Sequence, residues 1–258
     1  MKSTKQTVTK KQAVPTGAPD KKMKTQFTAT IFLNKLVALQ SKAAIANVQR
    51  FFKGDDPSNK FLGIRMSQLF ELAKKFTDMP LLEIEKLLNS DYYEARMGAV
   101  CIMDFQARNK KINPVQKKEL FNLYIKKHDR INNWDMVDRS APFVVGGYLF
   151  DQPRGILYKL AKSKNAWERR TAIVSTYFFI RQNDVDDTFK IAALLVNDQH
   201  DLVQKAVGSW VREAGKKDEQ QLIAFLERYA VSMPRTMLRY AVEKLSKQQK
   251  DRYMKSNK

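Results

Sequence analysis

"KSKNAWERRTAI", residues 162–173, decides the fold, because its pattern occurs again at "NSDYYEARMGAV" (89–100) and "NDQHDLVQKAVG" (197–208). Each stretch runs from a polar break through one or two basic residues to a small residue beside a branched one. The small-branched pairs Ala99-Val100, Ala172-Ile173, Ala206-Val207 and Ala241-Val242 stand 73, 34 and 35 residues apart. The first interval is about twice the others, so a further member is expected near residue 136. From Thr28 onward apolar residues recur every three or four positions, the spacing of one helix face, with no sustained strand alternation. A period near 35 with two helices per unit is the signature of an α-solenoid. The tetratricopeptide Trp and Gly positions are missing, which favours a HEAT-like unit. The expected fold class is therefore all-α: one domain over residues 26–258, a curved stack whose concave, basic groove collects one helix from each repeat.

Ahead of it, residues 1–25 carry seven lysines and one aspartate with almost no large apolar side chain, and are expected to form a flexible basic tail. The 258 residues contain 47 Lys and Arg against 27 Asp and Glu, a formal charge of +20, which points to a polyanionic partner. A hydrophobic content of 43% suits a globular core, and no apolar run is long enough to span a bilayer, so no membrane partner is expected. The single cysteine, Cys101, excludes an internal disulfide. His128 and His200 lack neighbours at metal-ligand spacing, so neither metal nor cofactor is expected. A cytoplasmic monomer, associated with the nucleoid when bound to DNA, is the corresponding expectation.

Three helical faces carry candidate chemistry. In "INNWDMVDRSAPFVVGGYLF" (131–150), an N-cap at Asn132 or Asn133 places Trp134, Val137, Asp138, Ala141, Val145 and Tyr148 on one face, with Asp138 as its lone charge. Pro142 cannot donate to the Asp138 carbonyl, so a bend is expected there. Asp138 either caps a neighbouring helix or pairs with Arg139 or Arg170, or else serves as a desolvated carboxylate that stabilises positive charge. In "NAWERRTAIVSTYFFIRQND" (165–184), Arg170 projects from the face of Trp167, Val174 and Tyr177 or Phe178, able to grip a phosphate or a carboxylate, while Trp167 itself reads as core. In "LVQKAVGSWVREAGKKD" (202–218), Val203, Ala206, Val207, Trp210 and Ala214 read as the core stripe. Lys205, Ser209, Arg212 and Lys216 form a polar, basic face able to track phosphates.

"FLGIRMSQLFELAKKF", "NNWDMVDRSAP", "WERRTAIVST", "DLVQKAVGSWVREAGKKD" and "MPRTMLRYAVEKL", in this order and spacing, resemble the DNA alkylation repair family of HEAT-like-repeat alkylpurine DNA glycosylases, over about Phe51 to Tyr240. The resemblance implies removal of cationic N3- and N7-alkylated purines from duplex DNA, without an enclosed pocket for a flipped base. It implies Asp138 as the catalytic carboxylate, Trp134 as the aromatic contact to the lesion, and Arg170 as a grip on the DNA backbone. One position departs from the family pattern. A second DNA-facing tryptophan should follow the glycine, where this chain has Ser209 and then Trp210. One residue is about 100° of helix rotation, so Trp210 is expected to face the core and leave the indole pair incomplete. The alternative reading is a non-catalytic solenoid that recognises damaged or branched DNA.

Overall fold

The computed structural model describes residues 26–53 and 58–256; the basic tail expected over residues 1–25 lies outside them. Among the described residues the regular elements are helices, with a single isolated bridge between Lys60 and Tyr92. An entry segment of α1 (Ala29–Ala38), a 3-10 turn (Lys42–Ala44) and α2 (Ile45–Phe51) leads to α3 (Met66–Lys75). Two rows of stacked helices follow. The first row is α5 (Tyr93–Ala107), α7 (Trp134–Ser140), α10 (Ala166–Arg181), α12 (Asp201–Gly215) and α14 (Arg235–Ala241), each packed on the next. The second is α4 (Leu81–Leu88), α6 (Pro114–Lys126), α9 (Gly155–Ala161), α11 (Asp186–Leu195) and α13 (Glu219–Tyr229), while the short α8 (Gly147–Leu149) prolongs α7 within the first row. Helix α15 (Lys247–Ser256) closes the stack against α14.

The 35-residue rhythm is the rhythm of the first row. Ala99-Val100, Ala172-Ile173, Ala206-Val207 and Ala241-Val242 are all buried in it. Near residue 136 the chain has Met136-Val137, fully buried on α7 but without the small residue; the position in register with Ala99 and Ala172, seventh in its helix, is Ser140, followed by Ala141, both fully buried. Small residues let the axes of one row approach, and branched ones fill the space between the rows.

The polar break ahead of each of these helices also has a structural reason. Arg96, without exposed surface, donates from Nη1 to the carbonyls of Ser90 (2.8 Å) and Asp91 (3.1 Å), six and five residues back. One unit later Arg169 Nη1 does the same to Ser163 (3.0 Å) and Lys164 (2.9 Å), and Gln204 Nε2 reaches the Asp198 carbonyl, again six back, at 2.9 Å. These bonds supply donors to carbonyls of the turn between units, where Ser90 is reached by Arg130 as well and Asp91 by the Lys60 N–H. In α5, α10 and α12 the donor is the fourth residue of the helix, whereas α7 and α14 carry Val137 and Leu238 there.

Helix α7 begins at Trp134 with Asn133 as its N-cap, one of the two caps the sequence offers. The bend expected at Pro142 takes the form of a π-helical stretch, Ala141–Gly146, in which Gly147 N–H bonds to the Pro142 carbonyl five residues back. Wider turns of this kind absorb a missing donor without ending the helix. Gly146 lets this stretch lie against α10, because a Cβ there would stand 2.2 Å from the Ser175 carbonyl oxygen.

Candidate active site

Helix α7 presents Asp138 to the α10 side, and there the carboxylate meets Arg170. The pair is two-pronged, Nε to Oδ1 at 2.9 Å and Nη2 to Oδ2 at 2.7 Å, while Nη1 donates to the Leu202 carbonyl at the start of α12. Arg170 is only 6% exposed, so its charge is met by Asp138, whose side chain keeps 35% of its surface open. The bidentate fork fixes the plane of the carboxylate. Of the partners open to Asp138, Arg170 is the one it takes; Arg139 instead pairs with the buried Asp104 of α5 at 2.9 Å and lies between Phe70 and Phe105.

Trp134 stands one turn before Asp138. Its Nε1 donates to the Phe51 carbonyl at 2.9 Å, which ties the indole edge to the end of α2. Asn133 strengthens the same junction, since its Oδ1 accepts from Lys53 N–H at 2.8 Å and its Nδ2 donates to Asp135 at 2.8 Å. Asp135 also accepts from Tyr93 Oη and from the Met136 N–H. Burial pushes the Asp135 carboxyl above the usual range, against the pull of these donors.

A cavity of about 590 Å³ opens beside Asp138 and gathers residues from four consecutive helices of the first row. Trp134, Asp138, Arg170, Lys205, Ser209 and Arg212 all line it, as expected from the helical faces. Lys216 does not; its ammonium is held 2.7 Å from Glu213. Nor are the other cations bare. Lys205 pairs with Asp201 at 2.6 Å, and Arg212 pairs with Glu213 at 3.0 Å and with Glu243. Exposed pairs of this kind contribute little to stability, so an incoming phosphate could compete for Lys205 at small cost. Arg170, expected at the DNA backbone, has all three of its nitrogens donating within the protein, two of them to Asp138.

Trp210 corrects the sequence reading. It is half-buried and lines the cavity, with its ring 4.8 Å from Tyr177 of α10. The core stripe of α12 is Val203, Ala206, Val207, Val211 and Ala214. What sets this rotation is Gly208, where a Cβ would stand 2.4 Å from the Met237 carbonyl oxygen and 2.7 Å from Tyr240 Cβ. Gly208 must face α14, so Trp210, about 200° further round, faces back toward α10. The indole missing from position 209 is thus supplied to the same cavity by the next residue. Gly208→Ala is expected to lower stability by roughly 1–3 kcal/mol through overpacking, more than the ~1 kcal/mol that alanine gains in helix propensity. Thermal unfolding should then fall by several degrees, and an unchanged or raised midpoint would contradict this packing.

Tyr177, Glu213 and Tyr240 also line the cavity, with Leu202 and Ala206, and were not singled out as site residues from sequence. Glu213 lies four residues after Ser209, so the helical spacing that selected Ser209 could have found it.

Comparison with known proteins agrees with the architecture. No curated protein sequence matches the chain. Among solved structures the fold is similar to a "Predicted DNA alkylation repair enzyme from Enterococcus faecalis", with 17% identity and a TM-score of 0.63 over 81% of this chain and 97% of that one. The family model described as DNA alkylation repair enzyme matches residues 32–245, which takes in both rows of the stack and every cavity residue named above. The chain therefore belongs to the DNA alkylation repair enzyme family.

Proposed function

We propose that this protein is a DNA glycosylase that hydrolyses the N-glycosidic bond of cationic N3- and N7-alkylated purines in duplex DNA. The observation that carries the reading is Asp138: a carboxylate pinned in plane by Arg170, partly open, and flanked by the Trp134 indole. An alkylated purine leaves as a neutral base, so its departure needs no strong general acid. The difficulty lies at the sugar, where oxocarbenium charge develops as the bond breaks. A fixed carboxylate offsets that charge without reorganising at the moment of reaction. Carboxylate oxygens offer about four acceptor directions, and Arg170 takes two; those left can hold and direct the attacking water. The face of Trp134 adds cation–π stabilisation of ~1–2 kcal/mol when desolvated. Lys205, Ser209 and Arg212, with Lys216 further along α12, would meet the backbone phosphates.

The test is base release. Duplex DNA methylated at purines is incubated with the protein, and the free bases are separated and identified. Release of N3-methyladenine or N7-methylguanine, with abasic sites left in the duplex, is the expected result. Tight binding to the same duplex without any release would overturn the catalytic reading in favour of a damage-recognising DNA-binding solenoid.

A further inference from the structure

Asp138, Arg170 and Lys205 are each the fifth residue of their helix, α7, α10 and α12, so they stand at one level across the first row. A second level repeats further along. Arg108, Arg181 and Lys216 are each the sixteenth residue counted from Tyr93, Ala166 and Asp201, and they stand 73 and 35 residues apart, the rhythm of the small-branched pairs. Eleven residues make about three turns of helix, so both levels share one face and lie about 16 Å apart along the axes. The three side chains of the second level are exposed. Arg181 pairs with no carboxylate among the described residues, and Lys216 keeps only its exposed pair with Glu213. Arg108 is tied to the buried Asp104 through Nε alone, at 2.8 Å, which leaves its terminal nitrogens for an outside acceptor. Helix α7 carries no cation at this level and supplies Phe143 instead. The Arg108 guanidinium lies 3.7 Å from the centre of that ring and the Arg181 guanidinium 5.9 Å, so one ring holds a cation from each neighbouring helix. A helix end favours a cation on any face; a shared face, a shared register and a shared ring are more than that requires.

We propose that Arg108, Arg181 and Lys216 grip the phosphates of the strand opposite the lesion. This rests on the glycosylase reading, in which the sugar beside Asp138 belongs to the damaged strand, and deepens it by making the substrate a duplex held by both backbones. Lys205 stands at the level of Asp138 and so meets the damaged strand. The grooves between the two backbones of a duplex are about 6 and 12 Å wide, a gap that long side chains rooted about 16 Å apart can straddle. Guanidiniums suit the task because the fork matches two phosphate oxygens. Phe143 orders both side chains before DNA arrives, which lowers the entropy lost on binding. The pair also carries an excess of positive charge that a phosphate offsets, since Asp104, which holds Arg108, is shared with Arg139.

The test measures binding on a duplex whose lesion is replaced by a tetrahydrofuran abasic analogue, which has no base to free. Affinity is followed by anisotropy at several salt concentrations. Arg181→Gln should lower the slope of log affinity against log salt by about 0.9, the contribution of one phosphate contact on B-form DNA. Arg181→Lys keeps the charge and should keep the slope, and Lys216→Gln, at the other end of the row, should lower it as Arg181→Gln does. Single uncharged methylphosphonate linkages are then placed along each strand in turn. Wild type should lose affinity several-fold at linkages of the intact strand, one of which becomes silent in Arg181→Gln and a different one in Lys216→Gln. An unchanged slope in both glutamine variants would overturn the proposal, and so would silent linkages on the strand that carries the analogue. Base release is scored separately on methylated duplex. A protein that releases alkylated bases but shows neither effect refutes the second row alone, and one that shows both effects without ever releasing a base refutes the glycosylase alone.

Discussion

Asp138→Asn is expected to slow base release by at least about 100-fold, the usual cost of losing one preorganised electrostatic stabiliser, while DNA affinity stays within a few-fold. The amide keeps the shape and one acceptor for the Arg170 fork, but it carries no charge to set against the oxocarbenium. Arg170 is 6% exposed and would lose its counter-charge, so a stability cost accompanies the kinetic one. Removing one partner of a fully buried pair costs about 3–5 kcal/mol. The open side of Asp138 screens this pair, so roughly half of that is expected. Single-turnover release at a temperature well below the unfolding midpoint separates the two effects. Arg170→Lys should reproduce much of the kinetic loss with the carboxylate intact, since an ammonium cannot hold both oxygens in plane. Full activity in Asp138→Asn would show that the reacting carboxylate lies elsewhere.

The second large effect is on stability in acid, through His128. This imidazole lies buried between α6 and α10, its Nε2 2.8 Å from Thr171 Oγ1, which also bonds to Tyr124 Oη at 3.0 Å. Burial pulls its pKa down from 6.5 to about 4. The folded protein therefore keeps His128 neutral where the unfolded chain already takes up a proton. Stability from this residue is fully present above pH 6.5 and is lost progressively as the pH falls toward 4, by about 3 kcal/mol in all. Asp104 and Asp135, which burial holds above the usual carboxylate range, contribute a slope of opposite sign. The informative quantity is then the difference between wild type and His128→Gln in denaturant unfolding free energy from pH 7 to pH 4. Wild type should lose the more stability across that window even if the variant starts lower. Parallel curves would show that His128 titrates normally in the folded state.

Much of this was legible in the chain itself, for physical reasons that differ from residue to residue. The spacing of Ala99-Val100, Ala172-Ile173 and Ala206-Val207 marks the positions where helices of one row touch, and close packing tolerates few side chains there. Asn133 before Trp134 reads as a cap because an N-cap needs only local geometry. Asp138 stood out by helical periodicity, but its choice of Arg170 over Arg139 depends on where α10 crosses α7. The facing of Trp210 was lost for a similar reason: the rotation of α12 is set by Gly208 against Met237 and Tyr240, some thirty residues on. The junction of α2 with α7 was the least visible feature, because the tie between Trp134 and Phe51 spans 83 residues.

A linear stack distributes its strength unevenly along its length. Each unit is held only by its neighbours, so opening starts at the ends and works inward. Asp138, Arg170 and Trp210 sit on α7, α10 and α12, with α5 on one flank and α14 on the other. Fraying of α15 or α14 leaves the Asp138–Arg170 pair undisturbed, because that pair is closed between the two units in the middle. The slowest amides to exchange with solvent are expected in the helices that hold Asp138 and Arg170, so that this pair keeps its geometry through fluctuations that open the ends of the stack.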